Sequence, residues 1–298
     1  MYAFGKKSSL RWGLALAAPT VIGLIILNII PIFRTIYMSF FEVGAFGKSL
    51  TFVGFDNYKK LFQDEQILQA TWNTLRYTLM FVPPTIVISL GLAVILNNKI
   101  AGRSIYRTIY FLPMVAAPAA VTMVWKWLFN RDFGLINYLL NQIGIESIAW
   151  IENPNVAPIA IAIIGIWSQI GYSMVLFLSG LQEIPKDYYE AADIDGASWW
   201  TKLWTITLPL LSPTIFFVSV TSIMTGMQVF DVIYMMVGPN MPSYDTTVSL
   251  VYLFYNNSFL YGQQGYGSTI VVYLVIILLI LTYAQMKLQS RWVNYMGE

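Results

Sequence analysis

The chain is 298 residues long, 57% hydrophobic and only 11% charged, with a net charge of +2 and a mean hydropathy of +0.62. A soluble domain carries about 25% charged residues, so this composition cannot clothe a water-facing surface and marks a membrane protein. Cysteine and histidine are both absent, which removes disulfides, thiolate nucleophiles, His–Cys zinc sites and the imidazole base of a serine triad, and the small net charge gives no electrostatic case for nucleic acid.

A membrane-crossing helix needs about 20 mostly apolar residues. Six stretches longer than 17 residues are free of charge: 12–33, 77–98, 108–125, 153–182, 203–230 and 246–286. The last is broken by Asn256-Asn257-Ser258 and Gly262-Gln263-Gln264-Gly265. The pattern therefore predicts an all-α protein with six spans near 13–34, 76–97, 107–127, 158–181, 209–231 and 268–287. The first span follows Lys6, Lys7 and Arg11, but its run is too long for a signal peptide and no cleavage site follows, so a retained anchor is expected. With both termini inside, the inner segments hold 10 Lys/Arg in 54 residues and the outer ones 7 in 112. This bias favours an N-in, C-in topology. Trp125, Trp127, Trp199, Trp200 and Trp292 lie near span ends, as interfacial belts do.

In the first outer loop, Gly47-Lys48-Ser49 looks like the end of a Walker A loop. The pattern needs glycine where Glu42 stands, so the match is read as chance. Within the spans, Pro83-Pro84, Pro113, Pro118 and Pro213 each remove a backbone hydrogen bond, and irregular interior helices or ordinary kinks both follow. In the fourth span Trp167, Ser168, Gln169 and Tyr172, and in the fifth Ser219, Ser222, Thr225, Gln228 and Asp231, place polar and aromatic groups at membrane depth. Such groups line a solute path or glue helices together. Gly226 adds room for close approach. Asp231 is a proton-carrying group or a span-end cap, and Arg34 and Arg76 sit at span ends, where they snorkel.

The inner loop 183–209 differs from the others. Pro185 suits the first turn of a short helix of about three turns, and Gly196 suits its C′ position. Ser198 suits the cap of a second helix, in which Trp199, Leu203 and Ile206 share a face at the membrane surface before Pro209 opens the fifth span. Glu190-Ala191-Ala192, then Asp195-Gly196, then Ile206-x-Leu208-Pro209 resembles the EAA loop of the permeases of ABC importers. Phe52-Val53-Gly54-Phe55-Asp56-Asn57-Tyr58, Trp72-Asn73-Thr74-Leu75, Tyr106-Arg107-Thr108, Phe111-Leu112-Pro113, Trp125 to Phe129, Gly134-Leu135-Ile136-Asn137 and Phe230 to Tyr234 resemble the maltose-type sugar permeases over about 50–290. Val237-Gly238-Pro239-Asn240 departs from the longer glycine run of that family, and the extra N-terminal spans of the maltose permease itself are not seen.

The resemblance implies a type I importer transmembrane fold, with a tail, first span and outer loop over 1–67, a permease domain over 68–287 and an inner tail over 288–298. It implies that Glu190, Ala191, Ala192, Asp195, Gly196, Leu208 and Pro209 couple to an ATPase. Ser222, Thr225, Gln228, Asp231, Trp167, Gln169 and Tyr172 are the expected solute path. The implied partners are a second homologous permease, two ATP-binding subunits, an extracytoplasmic binding protein and membrane lipid. ATP and Mg would sit on the ATPase subunits, with no cofactor, metal or catalytic residue on this chain. The implied location is the cell membrane. The implied solute is a carbohydrate, with glycerol-3-phosphate a variant. An ion-coupled transporter using Asp231 is the competing reading, and an intramembrane enzyme is nearly excluded by composition.

Overall fold

The computed structural model describes residues 6–44, 49–98 and 100–293, the first six of them by backbone alone. Gly47 and Lys48 lie outside these residues, and Glu42 lies in a strand. The chain forms two compact units, 1–64 with 254–274, and 65–253 with 275–298. These follow packing, whereas the sequence division at 67/68 follows span order, so the two do not coincide.

The first unit begins with α1 (Lys6–Leu24), a π turn (Ile25–Ile29) and α2 (Ile30–Met38), which run together as an apolar helix over Trp12–Met38. None of its most apolar window is buried within the chain. A hairpin of β1 (Phe41–Val43) and β2 (Leu50–Phe52) pairs Phe41 with Phe52 and Val43 with Leu50, and α3 (Asp56–Gln63) follows. The helix end is pinned at buried Ser39. Its Oγ shares a 2.7 Å hydrogen bond with the Tyr58 hydroxyl, and its carbonyl accepts from Asn57 Nδ2 at 3.0 Å and Thr269 Oγ1 at 3.2 Å. Tyr266 donates to Asp64 at 2.7 Å in the same unit.

The second unit holds α4 (Glu65–Asn97), α5 (Arg103–Val115), α6 (Pro118–Leu128), α7 (Leu135–Gln142), α8 (Ala157–Glu183), α9 (Asp187–Ile194), α10 (Trp199–Lys202), a π turn (Leu203–Thr207), α11 (Leu208–Met227), α12 (Asp231–Met236) and α13 (Tyr244–Thr247). Most of α14 (Leu250–Tyr255) and the second half of α15 (Gln264–Gln289) also belong to it. Its core joins Ala93 and Leu96 of α4, Met174, Phe177 and Leu181 of α8, and Leu211 and Val218 of α11.

The close packing is made by glycines on α8. A Cβ at Gly165 would strike the Tyr77 hydroxyl of α4, one at Gly171 the Tyr110 carbonyl of α5, and one at Gly180 the Thr214 side chain of α11. In lipid, helices are held by close van der Waals approach rather than by water exclusion, and missing side chains permit that approach. Three buried threonines of α4 are satisfied within the helix, since Thr74, Thr78 and Thr85 donate to the carbonyls of Ala70, Thr74 and Phe81 at 2.7–2.8 Å.

Among the described residues, five helices are long and apolar enough to cross a membrane, and a bent pair makes a sixth if counted as one span. That pair occupies the expected third span, where the prolines predict an irregular or kinked helix: α5 and α6 meet at 99°. Ala116 and Ala117 between them are extended, at ψ 143° and 132°. Pro118 bars its predecessor from the helical region and then opens α6 at a position that needs no N–H. Pro83-Pro84 and Pro213, by contrast, lie inside uninterrupted helices.

Gly171→Leu should break the α5–α8 contact and cost about 1–3 kcal/mol or more, as overpacking does. Gly91→Ala, where a Cβ meets nothing within 4 Å, should leave stability unchanged or raised. Thermal unfolding of the purified protein in detergent distinguishes the two.

Candidate functional site

Helix α9 is shorter than its sequence implied: eight residues, beginning two positions after Pro185. Lys186 occupies the cap, so the proline lies outside the first turn. The end is as expected. Gly196 sits at φ +71°, in the left-handed region that favours glycine, and the Ala197 N–H closes the turn on the Ala192 carbonyl at 2.9 Å. Ser198 then caps α10 by accepting from the Thr201 N–H at 3.2 Å. There is no break at Pro209. From Trp199 the helix runs through the π turn into α11, and the continuous apolar segment reaches Met236.

Glu190, Ala191, Asp195 and Gly196 are exposed, while Ala192, Leu208 and Pro209 are half-buried. Ile194 is 87% exposed, on a segment that carries Asp187, Glu190, Asp193 and Asp195.

The back of α9 is tied to the next span at two points. Asp193 pairs with Lys202 at 2.6 Å, and the Tyr189 hydroxyl meets Thr207 Oγ1 at 3.0 Å. Thr207 is buried in the π turn. Behind these ties lies a cavity of about 260 Å³, lined in part by Asn97, Asn98, Tyr189, Trp199 and Lys202. With its amide turned carbonyl-first, Gln182 at the end of α8 accepts from Arg103 at 2.7 Å and Arg107 at 3.2 Å. Sequence reasoning missed Tyr189, Asp193, Lys202 and Thr207 as a set. Tyr189 and Asp193 are four apart on α9 and so share a face, which was the available signal.

The expected path residues do not form one stripe. Ser222 is fully buried inside the chain, and its hydroxyl has no partner among the described residues. Thr225 is exposed and donates to the Thr221 carbonyl at 3.0 Å, and Gln228 is exposed and donates to Met224 at 3.1 Å. α11 ends at Met227, so Gln228 is its C-cap, while Asp231 starts α12 and is exposed. Steps of three residues also rotate about 60° each, which turns Ser222 and Gln228 to different faces. On α8, Trp167 is exposed, edge-on to Trp125 at 5.7 Å, and Gln169 and Tyr172 are half-buried.

Two asparagines organise loops of this unit. Asn73 donates to the carbonyls of Asp245 at 2.8 Å and Val248 at 3.1 Å, beside Thr74, whose hydroxyl accepts the Leu250 N–H at 3.2 Å. Asn137, 2% exposed, donates to the carbonyls of Asn130, Arg131 and Ile148 at 2.9–3.3 Å and accepts from the Ile148 N–H and the Trp150 indole at 3.0 Å.

Long apolar helices, with one short acidic helix between two of them, define a multi-pass integral membrane protein. The model of the binding-protein-dependent transport system inner membrane component matches residues 74–295, and the chain belongs to that family. It is 35% identical to the sulfoquinovosyl glycerol transport system permease protein SmoG of Agrobacterium fabrum, over 86% of this chain and 83% of that one. It is 36% identical to the probable ABC transporter permease protein YesP of Bacillus subtilis, over 97% and 94%. A permease chain in the crystal structure of a bacterial alginate ABC transporter, in complex with an alginate-pentasaccharide-bound periplasmic protein, superposes with a TM-score of 0.85 at 22% identity, covering 97% of this chain and 98% of that one.

Removing one tie should loosen α9 modestly, and removing both should free it. Tyr189→Phe forfeits a hydrogen bond worth about 0.5–1.5 kcal/mol. Combined with Lys202→Met it should speed protease nicking between residues 183 and 199 by more than either change alone, as read by limited proteolysis.

Proposed function

We propose that the chain is one permease half of an ATP-driven importer in the cell membrane and passes a carbohydrate, delivered by an extracytoplasmic binding protein, to the cytosol. The observation that carries this reading is α9. An isoleucine 87% exposed among four carboxylates is suited neither to water nor to a bilayer surface. The inner leaflet is itself anionic and repels such a helix. A cleft in a cytoplasmic ATPase, apolar at its base and polar at its rim, meets both demands, as helix-in-groove contacts do. ATP and Mg reside on that partner, and the permease does no chemistry.

The ties at Tyr189–Thr207 and Asp193–Lys202 then make α9 and α11 one lever. Displacement of α9 by the closing ATPase subunits rocks α11, and with it the exposed Thr225, Gln228 and Asp231, against a second, homologous permease. That second permease would also cover the first span. The carbohydrate assignment draws on relatives, namely the sulfoquinovosyl glycerol permease and the alginate transporter, and on the hydroxyl and amide groups at α11. Glycerol-3-phosphate and other polyol-like solutes are the nearest alternatives.

Gly196→Asp and Glu190→Lys should each abolish ATP-driven uptake in proteoliposomes holding the assembled transporter, while membrane insertion stays normal. Uptake at the wild-type rate by both variants defeats the coupling assignment. Uptake that collapses with a protonophore while ATP is supplied points instead to ion coupling through Asp231. Thr225→Leu and Gln228→Leu should raise the KM for solute several-fold and shift solute preference. Unchanged uptake kinetics would leave these side chains with a packing role.

A further inference from the structure

The second unit contains another cavity, apart from α9 and from the α11 residues, that the reading above does not use. It has a volume of about 290 Å³ and lies where α6 ends, between the 129–131 turn and the 149–152 segment. That volume is just under the lower end of ordinary ligand sites, about 300 Å³, and suits one sugar ring of a solute rather than a whole oligosaccharide.

Its walls carry Lys126, Arg131, Glu152, Asn130 and the rings of Phe129 and Trp150. All three charged side chains are exposed, and among the described residues none of them makes an ion pair. Two unpaired cations and one carboxylate thus border the same hollow. One side of it is aromatic: Trp150 stacks on Phe129 at 5.1 Å with 29° between the planes. The indole N–H is held by Asn137 Oδ1, and the Asn137 amide simultaneously holds the Asn130 and Arg131 carbonyls. One buried side chain therefore fixes both walls before anything binds. Glycine is required at 134, because a Cβ there would strike the carbonyls of Leu128 and Asn130. Walls fixed in advance lower the ordering cost of binding.

We infer that this cavity is an acceptor site for an acidic sugar, a pyranose ring bearing an exocyclic oxyanion. The oxyanion faces Lys126 and Arg131, which hydrogen-bond it with charge assistance. The ring hydroxyls donate to Glu152, and the apolar ring face lies on Trp150. A neutral sugar would leave both cations unanswered, and a bare inorganic anion would leave the indole unused. The inference rests on the carbohydrate-permease reading, under which this loop faces outward, and it narrows the solute to anionic saccharides. It also places the first contact outside the spans.

The test uses the assembled transporter in detergent, without its binding protein, and titrates digalacturonate against maltose by calorimetry. Digalacturonate should bind saturably, at least tenfold tighter than maltose, and weaken as salt is raised. Lys126→Gln with Arg131→Gln should cost at least tenfold in digalacturonate affinity, and Trp150→Leu should weaken both sugars. Equal binding of the two sugars, no binding of either, or digalacturonate affinity unchanged in the double variant overturns the site. So does a double variant that loses affinity for the solute-binding protein while keeping that for digalacturonate, since the cations would then serve protein docking. Failure of the carbohydrate reading itself shows separately, as an assembly that imports no saccharide in proteoliposomes whatever the calorimetry gives.

Discussion

The second unit depends on backbone-distance packing along α8. In a bilayer, burying an aliphatic side chain against another helix gains little over leaving it in lipid, so the stabilising contact has to be a tight one. Gly165, Gly171 and Gly180 provide it toward three different helices. The result is a fixed axis against which α4, α5 and α11 are set. The core around Phe177 and Leu211 fills the space those approaches leave. Every functional feature of the unit is referred to that axis: α9 follows its end, the bent α5–α6 pair leans on its middle, and the 129–152 loops precede its start.

The spans were legible because lipid exerts one dominant demand, an uninterrupted apolar run, and charge-free gaps report it directly. Gly196 was legible for a similar reason: a left-handed C′ position has one favoured occupant. The 99° bend in the third span was not. Pro118 signals a boundary locally, but the angle depends on two extended residues and on what α8 allows α5 to reach. The length of α9 was overread because Pro185 was assigned to the first turn, whereas the structure starts the helix only after Lys186. The polar repeat on α11 was legible, but the exposure of each member was not: three-residue steps drift around the helix, and Ser222 is buried while Thr225, Gln228 and Asp231 are exposed.

The ties and clamps were the least visible features. Tyr189–Thr207, Asp193–Lys202 and the Asn137 cluster each join residues 6 to 18 positions apart through one or two polar atoms. Periodicity says nothing about such pairs. They can be anticipated only where a buried amide or hydroxyl demands partners, a demand that Asn137 met by holding loop segments and Asn73 by holding α13 and the residue after it.

The first helix of the chain stands apart from all of this. Its end is pinned at Ser39, but among the described residues none along its most apolar window is buried. Substitutions there that keep the helix apolar remove no burial within the chain. Whatever selective constraint acts on its individual positions must therefore be imposed by neighbours encoded elsewhere, and the pattern of drift along it would record their footprint.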